Sequence, residues 1–71
     1  MHYTNIIETI KLRRTALHVN QETLSLLSGV GLRTLKEIES GKGNPTLSTI
    51  LKLADTLGLV LCFKVKDLSG N

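Results

Sequence analysis

Glycines divide this chain into short segments, and this division limits the possible folds more than any other feature. Ahead of Gly29, Gly41 and Gly58, apolar residues recur at the three- and four-residue spacing of one helix face. Glycine readily adopts the left-handed backbone conformation that commonly ends a helix, so each segment is expected to be a short helix. After Gly58 the apolar period changes to two. The sequence therefore predicts an all-α domain followed by one extended segment.

Four helices are predicted, over residues 5–16, 21–28, 32–40 and 47–57. Asn5, Asn20 and Thr46 are residue types that cap helix N-termini, and each stands just before a segment with helical spacing. Glu8 follows Asn5 by three residues, as in a capping box. Residues 29–31 are expected to form a tight turn between the second and third helices, and residues 41–45 a loop before the fourth.

Residues 59–66 alternate as a β-strand does. The apolar residues on one face of this predicted strand are Leu59, Leu61, Phe63 and Val65. A lone strand leaves its backbone groups unpaired, and the helices offer no second strand, so we expect pairing with the same segment of a second copy. This gives a homodimer built from a helical domain (residues 1–58), a dimerisation strand (59–67) and a frayed tail (68–71).

Composition favours a binding protein over an enzyme. The 71 residues leave room for one small domain, and a single cysteine, Cys62, cannot form an intramolecular disulfide. The sequence has no spacing typical of a catalytic centre, a metal site or a phosphate-binding loop, so we expect no catalytic residues, metal, cofactor or small-molecule substrate. With no apolar run of ~20 residues and no signal-peptide start, a cytoplasmic protein without membrane contact is expected.

The charge of the chain slightly favours an anionic partner. The formal net charge is +3 at pH 7, and the excess of basic residues lies in the first 52 residues. Within this part, the third predicted helix separates two faces on a wheel of ~100° per residue, with Leu35 and Ile38 pointing inward. The opposite stripe is either an ordinary solvated face or a surface that reaches into a groove, and it carries Arg33, Lys36, Glu37 and Ser40.

Residues 21–41 resemble the helix-turn-helix of lambda-repressor-like, Xre-type transcriptional regulators. The matching residues are Gln21-Glu22-Thr23-Leu24-Ser25, Gly29-Val30-Gly31, Thr34-Leu35 and Ile38-Glu39-Ser40-Gly41. Residues 45–47 and 53–59 are similar in spacing to the fourth and fifth helical region of that family. The resemblance implies a fold of four to five helices and a dimeric repressor that binds a palindromic operator in double-stranded DNA. Residues 59–65 further resemble the HipB-like branch, whose antitoxins repress their own operon and bind a HipA-type kinase toxin.

By this resemblance the third helix is the recognition helix, and its base-reading positions are Leu32, Arg33, Lys36 and Glu37. Arg33 can offer a bidentate fork to guanine, and Glu37 can accept a hydrogen bond from cytosine N4. Leu32 is as well placed to pack inside as to touch a thymine methyl group. The expected phosphate contacts are Gln21, which has that role in the family, together with Asn20, Thr34, Ser40 and Lys42. For Asn20, Ser40 and Lys42, a pure capping or loop role is the alternative.

Glu39 falls on the inward side of the third helix, where an unpaired carboxylate would be costly. The family implies an ion pair between this position and an arginine late in the first helix, which here is Arg14. Two departures from the family pattern are Ser25, where alanine is usual, and Gly31, where a serine or threonine cap is usual.

Two other functions remain open at this point. One is a protein-interaction module whose helix-turn-helix serves only to dimerise and hold a partner protein. The other is a stand-alone phage-type repressor without a toxin. Salt-dependent binding to the promoter fragment of its own gene separates a repressor from an interaction module.

Overall fold

A computed structural model describes residues 3–66 of the chain. Its four α-helices are α1 (Tyr3–Ala16), α2 (Gln21–Ser28), α3 (Leu32–Glu39) and α4 (Leu47–Thr56). The helix α2 packs against both α3 and α4, and α1 packs against α3. The predicted all-helical fold is confirmed, with four helices in the described range, and the arrangement is consistent with a lambda-repressor-like helix-turn-helix domain. Asp67 and the tail predicted for residues 68–71 lie outside the described residues.

The hydrophobic core lies where the four helices meet. Its fully buried side chains are Leu24, Leu35, Leu53 and Leu57, and α1 adds Ile7 and Ile10. Helices of two to four turns are marginal in isolation, so packing around this core stabilises them. Two leucines at helical spacing in α4 lie outside the core, because the apolar face of α4 is wider than the surface that its neighbours cover; Leu47 is 58% exposed and Leu51 45%.

Side-chain hydrogen bonds define two of the predicted helix starts. The Oδ1 atom of Asn20 accepts a hydrogen bond from the Thr23 backbone N–H at 2.7 Å. The Oγ1 atom of Thr46 accepts one from the Thr49 backbone N–H at 3.2 Å. Both predicted caps are therefore confirmed.

Three other helix boundaries differ from the prediction by one or two residues, and those at Ala16, Ser28 and Leu32 agree with it. The predicted cap at Asn5 is wrong, because α1 already begins at Tyr3 and Asn5 lies exposed within its first turn. An exposed asparagine side chain is satisfied by water, so it does not impose a helix start at its own position. The helix α3 ends at Glu39 and α4 at Thr56, since Ser40 and Leu57 take the C-cap positions.

Residues 59–66 follow α4 without regular secondary structure, and no β-strand occurs anywhere in the described range. Leu59 anchors the segment: its backbone N–H donates to the Ala54 carbonyl at 2.8 Å, and its side chain packs against the core. Beyond it, Phe63 and Val65 are 92% and 97% exposed. A strand needs a partner for its hydrogen bonds. The dimerisation strand therefore stays a prediction.

His18 and Gly41 occupy the same position in two of three copies of one helix-ending motif, the third of which lies at Gly58 after α4. The Val19 N–H donates to the Arg14 carbonyl and the His18 N–H to that of Thr15, and an equivalent pair of bonds closes α3 around Gly41. This is the Schellman arrangement, which requires a left-handed residue at its centre. His18 has φ +57° and Gly41 φ +83°. His18 therefore adopts a conformation that is unfavourable for a residue with a Cβ atom.

We expect His18→Gly to stabilise the protein and Gly41→Ala to destabilise it, each by about 1 kcal/mol. A Cβ atom on Gly41 would meet nothing within 4 Å, so the expected loss is conformational and not steric. Thermal unfolding of the two variants and the parent protein measures both effects. A His18→Gly variant that melts no higher than the parent would contradict this account of the α1 terminus.

Candidate nucleic-acid interface

The helix α3 presents one face to the core and the other to solvent. Leu35 and Ile38 are 0% and 2% exposed, and Glu39 beside them is 7% exposed. These residues pack the helix against α1 and α2. The opposite stripe consists of the exposed residues Arg33, Lys36, Glu37 and Ser40. The structure therefore places three of the four predicted base-reading residues on one outward surface.

The charged side chains of this surface have no partner within residues 3–66. The hydrogen bonds and ion pairs of the described residues include none from the side chains of Arg33, Lys36 or Glu37. Leu32, the fourth predicted base-reading residue, is half-buried at the first position of the helix. Long side chains that form no hydrogen bond or ion pair within the described residues can reach the base edges in a major groove about 12 Å wide.

The turn before α3 is held by two serine hydroxyl groups. The Ser25 Oγ–H donates to the Val30 carbonyl at 2.6 Å, and the Ser28 Oγ accepts from the Val30 backbone N–H at 3.2 Å. Gly29 turns the chain with φ +78°, and the Val30 side chain is buried. These contacts fix the position of α3 relative to α2. The sequence showed Ser25 only as a departure from alanine, and the hydrogen bond to the turn was missed.

The predicted phosphate contacts lie at three helix ends. Asn20 and Gln21 stand at the start of α2, where the helix dipole and unpaired N–H groups favour an anion. Ser40 and Lys42 follow the end of α3, and Thr34 lies exposed in its first turn. The side-chain Oδ1 atom of Asn20 caps α2, and the Ser40 hydroxyl donates to the backbone carbonyl of Glu37 at 2.8 Å.

The Gln21 side chain forms a hydrogen bond to another residue of the protein. Its amide Nε2 donates to Glu39 Oε1 at 3.0 Å, so the residue links the start of α2 to the end of α3. Sequence reasoning assigned Gln21 to phosphate and did not identify this contact. No local signal could have found it, because the two residues are separated by 18 positions and meet only through the packing of α2 on α3.

Glu39 accepts a bidentate ion pair from Arg14. The Arg14 Nε and Nη2 atoms lie 2.7 Å and 2.8 Å from the two Glu39 carboxylate oxygens. The third guanidinium nitrogen, Nη1, donates to the Val19 carbonyl at 2.8 Å. The hydrogen bond to Glu39 raises the pKa of Arg14 above its usual value, burial opposes this shift, and the charge of the carboxylate adds to it. One guanidinium therefore joins α1, the turn before α2 and α3.

The described part of the chain contains neither a metal-binding cluster nor a membrane-spanning helix. Residues 3–66 hold no group of three or more His, Cys, Asp or Glu residues arranged to bind a metal ion. Among the four helices described, none is long and apolar enough to cross a bilayer. The exposed face of α3 and the helix ends beside it form the candidate site, because they bring together the exposed charged residues Arg33, Lys36, Glu37 and Lys42.

Comparison with known proteins agrees with this geometry. Residues 10–60 match the family model described as "Helix-turn-helix", which covers α2, the turn, α3 and α4. Over 56 residues the chain is 39% identical to an uncharacterized HTH-type transcriptional regulator of Haemophilus influenzae. The match covers 79% of this chain and 57% of that relative, so the chain spans little more than half of the relative's length. The chain belongs to the Xre-type helix-turn-helix family.

Proposed function

We propose that this protein is a sequence-specific DNA-binding transcriptional repressor that uses α3 as its recognition helix. The observation that carries the proposal is the exposed stripe of Arg33, Lys36 and Glu37, whose side chains have no partner among residues 3–66, on a helix whose other face is buried in the core. The relative that bears the name of an HTH-type transcriptional regulator supports the same function.

Base edges and phosphates are contacted by different parts of the site. Leu32, Arg33, Lys36 and Glu37 read bases, and Arg33 provides a bidentate fork for guanine O6 and N7. The phosphate groups contact Asn20, Gln21, Thr34, Ser40 and Lys42. Because the Gln21 amide already bonds Glu39, the backbone N–H groups in the first turn of α2 supply the main donors at that position.

The protein acts as a homodimer on a palindromic operator. Large apolar side chains that are almost fully exposed are uncommon on a soluble monomer when several occur together. Residues 59–66 contain three of them, Val60, Phe63 and Val65. Pairing this segment with its copy across a two-fold axis covers Phe63 and Val65 and places two α3 helices on half-sites about 34 Å apart.

The operon that this repressor regulates is a toxin-antitoxin operon, and the protein is its HipB-like antitoxin. The extended apolar segment at residues 59–66, which resembles the C-terminal strand of HipB-like antitoxins, supports this assignment. A HipA-type kinase toxin is the second partner, besides the operator DNA. A kinase-like reading frame beside the gene, whose product co-purifies with this chain, would identify that partner.

Arg33→Ala and Lys36→Ala, both on α3, are each expected to weaken binding to a fragment of the gene's own promoter by about tenfold or more. Binding to an unrelated duplex should weaken much less. Lys42→Ala should weaken binding to both duplexes equally and reduce the slope of log K against log salt by about one. Gel-shift or anisotropy titrations at several salt concentrations measure these effects.

Lys52→Ala is the matched control, because Lys52 is an exposed cation on α4 and should leave binding to both duplexes unchanged. If promoter binding is insensitive to salt and to Arg33→Ala, Lys36→Ala and Lys42→Ala, the helix-turn-helix serves only to dimerise or to hold a protein partner.

A further inference from the structure

Glu37 is an acid on a surface proposed to face a polyanion. It is exposed beside Arg33 and Lys36 on the outer face of α3, and neither its carboxylate nor their side chains form an ion pair in the part of the chain that the structure describes. An arginine four residues ahead of a glutamate is the weaker order for helix pairing. The negative charge of Glu37 is therefore not neutralised by any side chain among residues 3–66.

Such a charge lowers affinity for most DNA sequences. A carboxylate repels phosphate groups and can only accept hydrogen bonds, so it gains nothing from guanine or thymine, whose major-groove edges offer acceptors. The major-groove donors are cytosine N4 and adenine N6. Adenine also presents the N7 acceptor beside N6, which repels a carboxylate. Cytosine is therefore the base whose major-groove edge best compensates the negative charge of Glu37.

Building on the DNA-binding function proposed above, we propose that Glu37 determines specificity mainly by exclusion: it weakens binding to every duplex that does not place a cytosine opposite it. Arg33 lies four residues earlier on the same face, about 6 Å along the helix axis, or about two base-pair steps. Each half-site then contains a guanine read by Arg33 and a cytosine read by Glu37 about two steps apart.

Two measurements on the intact chain test this role, with Glu37→Gln as the variant and Asp55→Asn as the matched control. Asp55 is an exposed acid on α4, so its substitution removes the same charge away from α3. The probes are a fixed duplex of unrelated sequence and a randomised duplex library subjected to selection and sequencing. Circular dichroism confirms that each variant is folded.

Glu37→Gln should bind the unrelated duplex about threefold more tightly than the parent. For comparison, the contribution of one phosphate contact to the binding constant changes about threefold when the salt concentration changes about fourfold. In the library, the parent should enrich cytosine at one position of each half-site, and the variant should lose this enrichment or shift it to adenine, which glutamine bonds at N6 and N7. Asp55→Asn should change neither result.

The inference is overturned if Glu37→Gln binds the unrelated duplex no more tightly than the parent, or if it retains the cytosine preference. In either case salt-dependent DNA binding by the parent leaves the proposed function standing. If the parent protein binds neither the library nor the fixed duplex, the proposed DNA-binding function fails and this role of Glu37 fails with it.

Discussion

Replacing Arg14 by alanine is expected to lower the free energy of unfolding by about 3–5 kcal/mol, because it leaves the buried carboxylate of Glu39 without its cation. The Glu39 side chain is 3% exposed and receives two hydrogen bonds from Arg14 and one from Gln21. Gln21 is uncharged, so its hydrogen bond cannot replace the positive charge of Arg14. The same substitution also removes the donor to the Val19 carbonyl.

A loss of this size is a large part of the stability of a small domain, for which about 0.05–0.15 kcal/mol per residue is typical. The melting temperature should fall by more than about 10 °C. Lys11→Ala, a substitution at an exposed position of the same helix, is the control. Its free energy of unfolding should stay within about 0.5 kcal/mol of that of the parent. The pair replacement Arg14→Met with Glu39→Leu should recover most of the stability, since no unpaired charge remains.

These measurements also separate a structural from a DNA-reading role for the Arg14–Glu39 pair. If Arg14→Ala leaves the melting temperature unchanged and alters the preferred DNA sequence, the pair contributes to base reading and not to stability.

The double substitution of Phe63 and Val65 by glutamate is expected to convert the proposed dimer into monomers. Both side chains are more than nine-tenths exposed in the single chain, so the helical fold should persist. Four carboxylates placed along two paired strands repel one another and remove the apolar contact. Promoter affinity should fall by about 100-fold, because the second half-site no longer binds as part of the same assembly.

Sedimentation equilibrium gives the mass of the assembly, and circular dichroism reports the fold. Lys64→Ala, on the other face of the predicted strand, is the matched control and should remain dimeric. Substitution is preferable to truncation at residue 59, because Leu59 packs against the core and bonds the Ala54 carbonyl. A double variant that still sediments as a dimer would show that the strand-pairing arrangement is wrong.

The face of α3 could be predicted because it depends on helical periodicity alone. Leu35 and Ile38 repeat at the spacing of a buried stripe, so the position of Arg33, Lys36 and Glu37 on the outer side follows from geometry. The caps at Asn20 and Thr46 were equally predictable, since a capping side chain bonds a backbone N–H only three residues away.

Contacts between distant residues were harder to predict. Periodicity showed that Glu39 needs a cation, and only the family resemblance suggested Arg14. The bond from Gln21 to Glu39 and the bond from Ser25 to the turn carbonyl depend on helix packing and side-chain rotamers. The left-handed conformation of His18 was also missed, because glycine and not histidine is the usual signal for that position.

Local interactions within the sequence thus determined where most helices begin and end, and which side of each helix is apolar, because these properties depend on residues at most four positions apart. The tertiary structure decided which polar residues are used to join the helices and which remain available on α3. Whether Gln21, Glu39 or Arg33 meets another side chain depends on how α1, α2 and α3 pack, and that packing is set by the whole core at once.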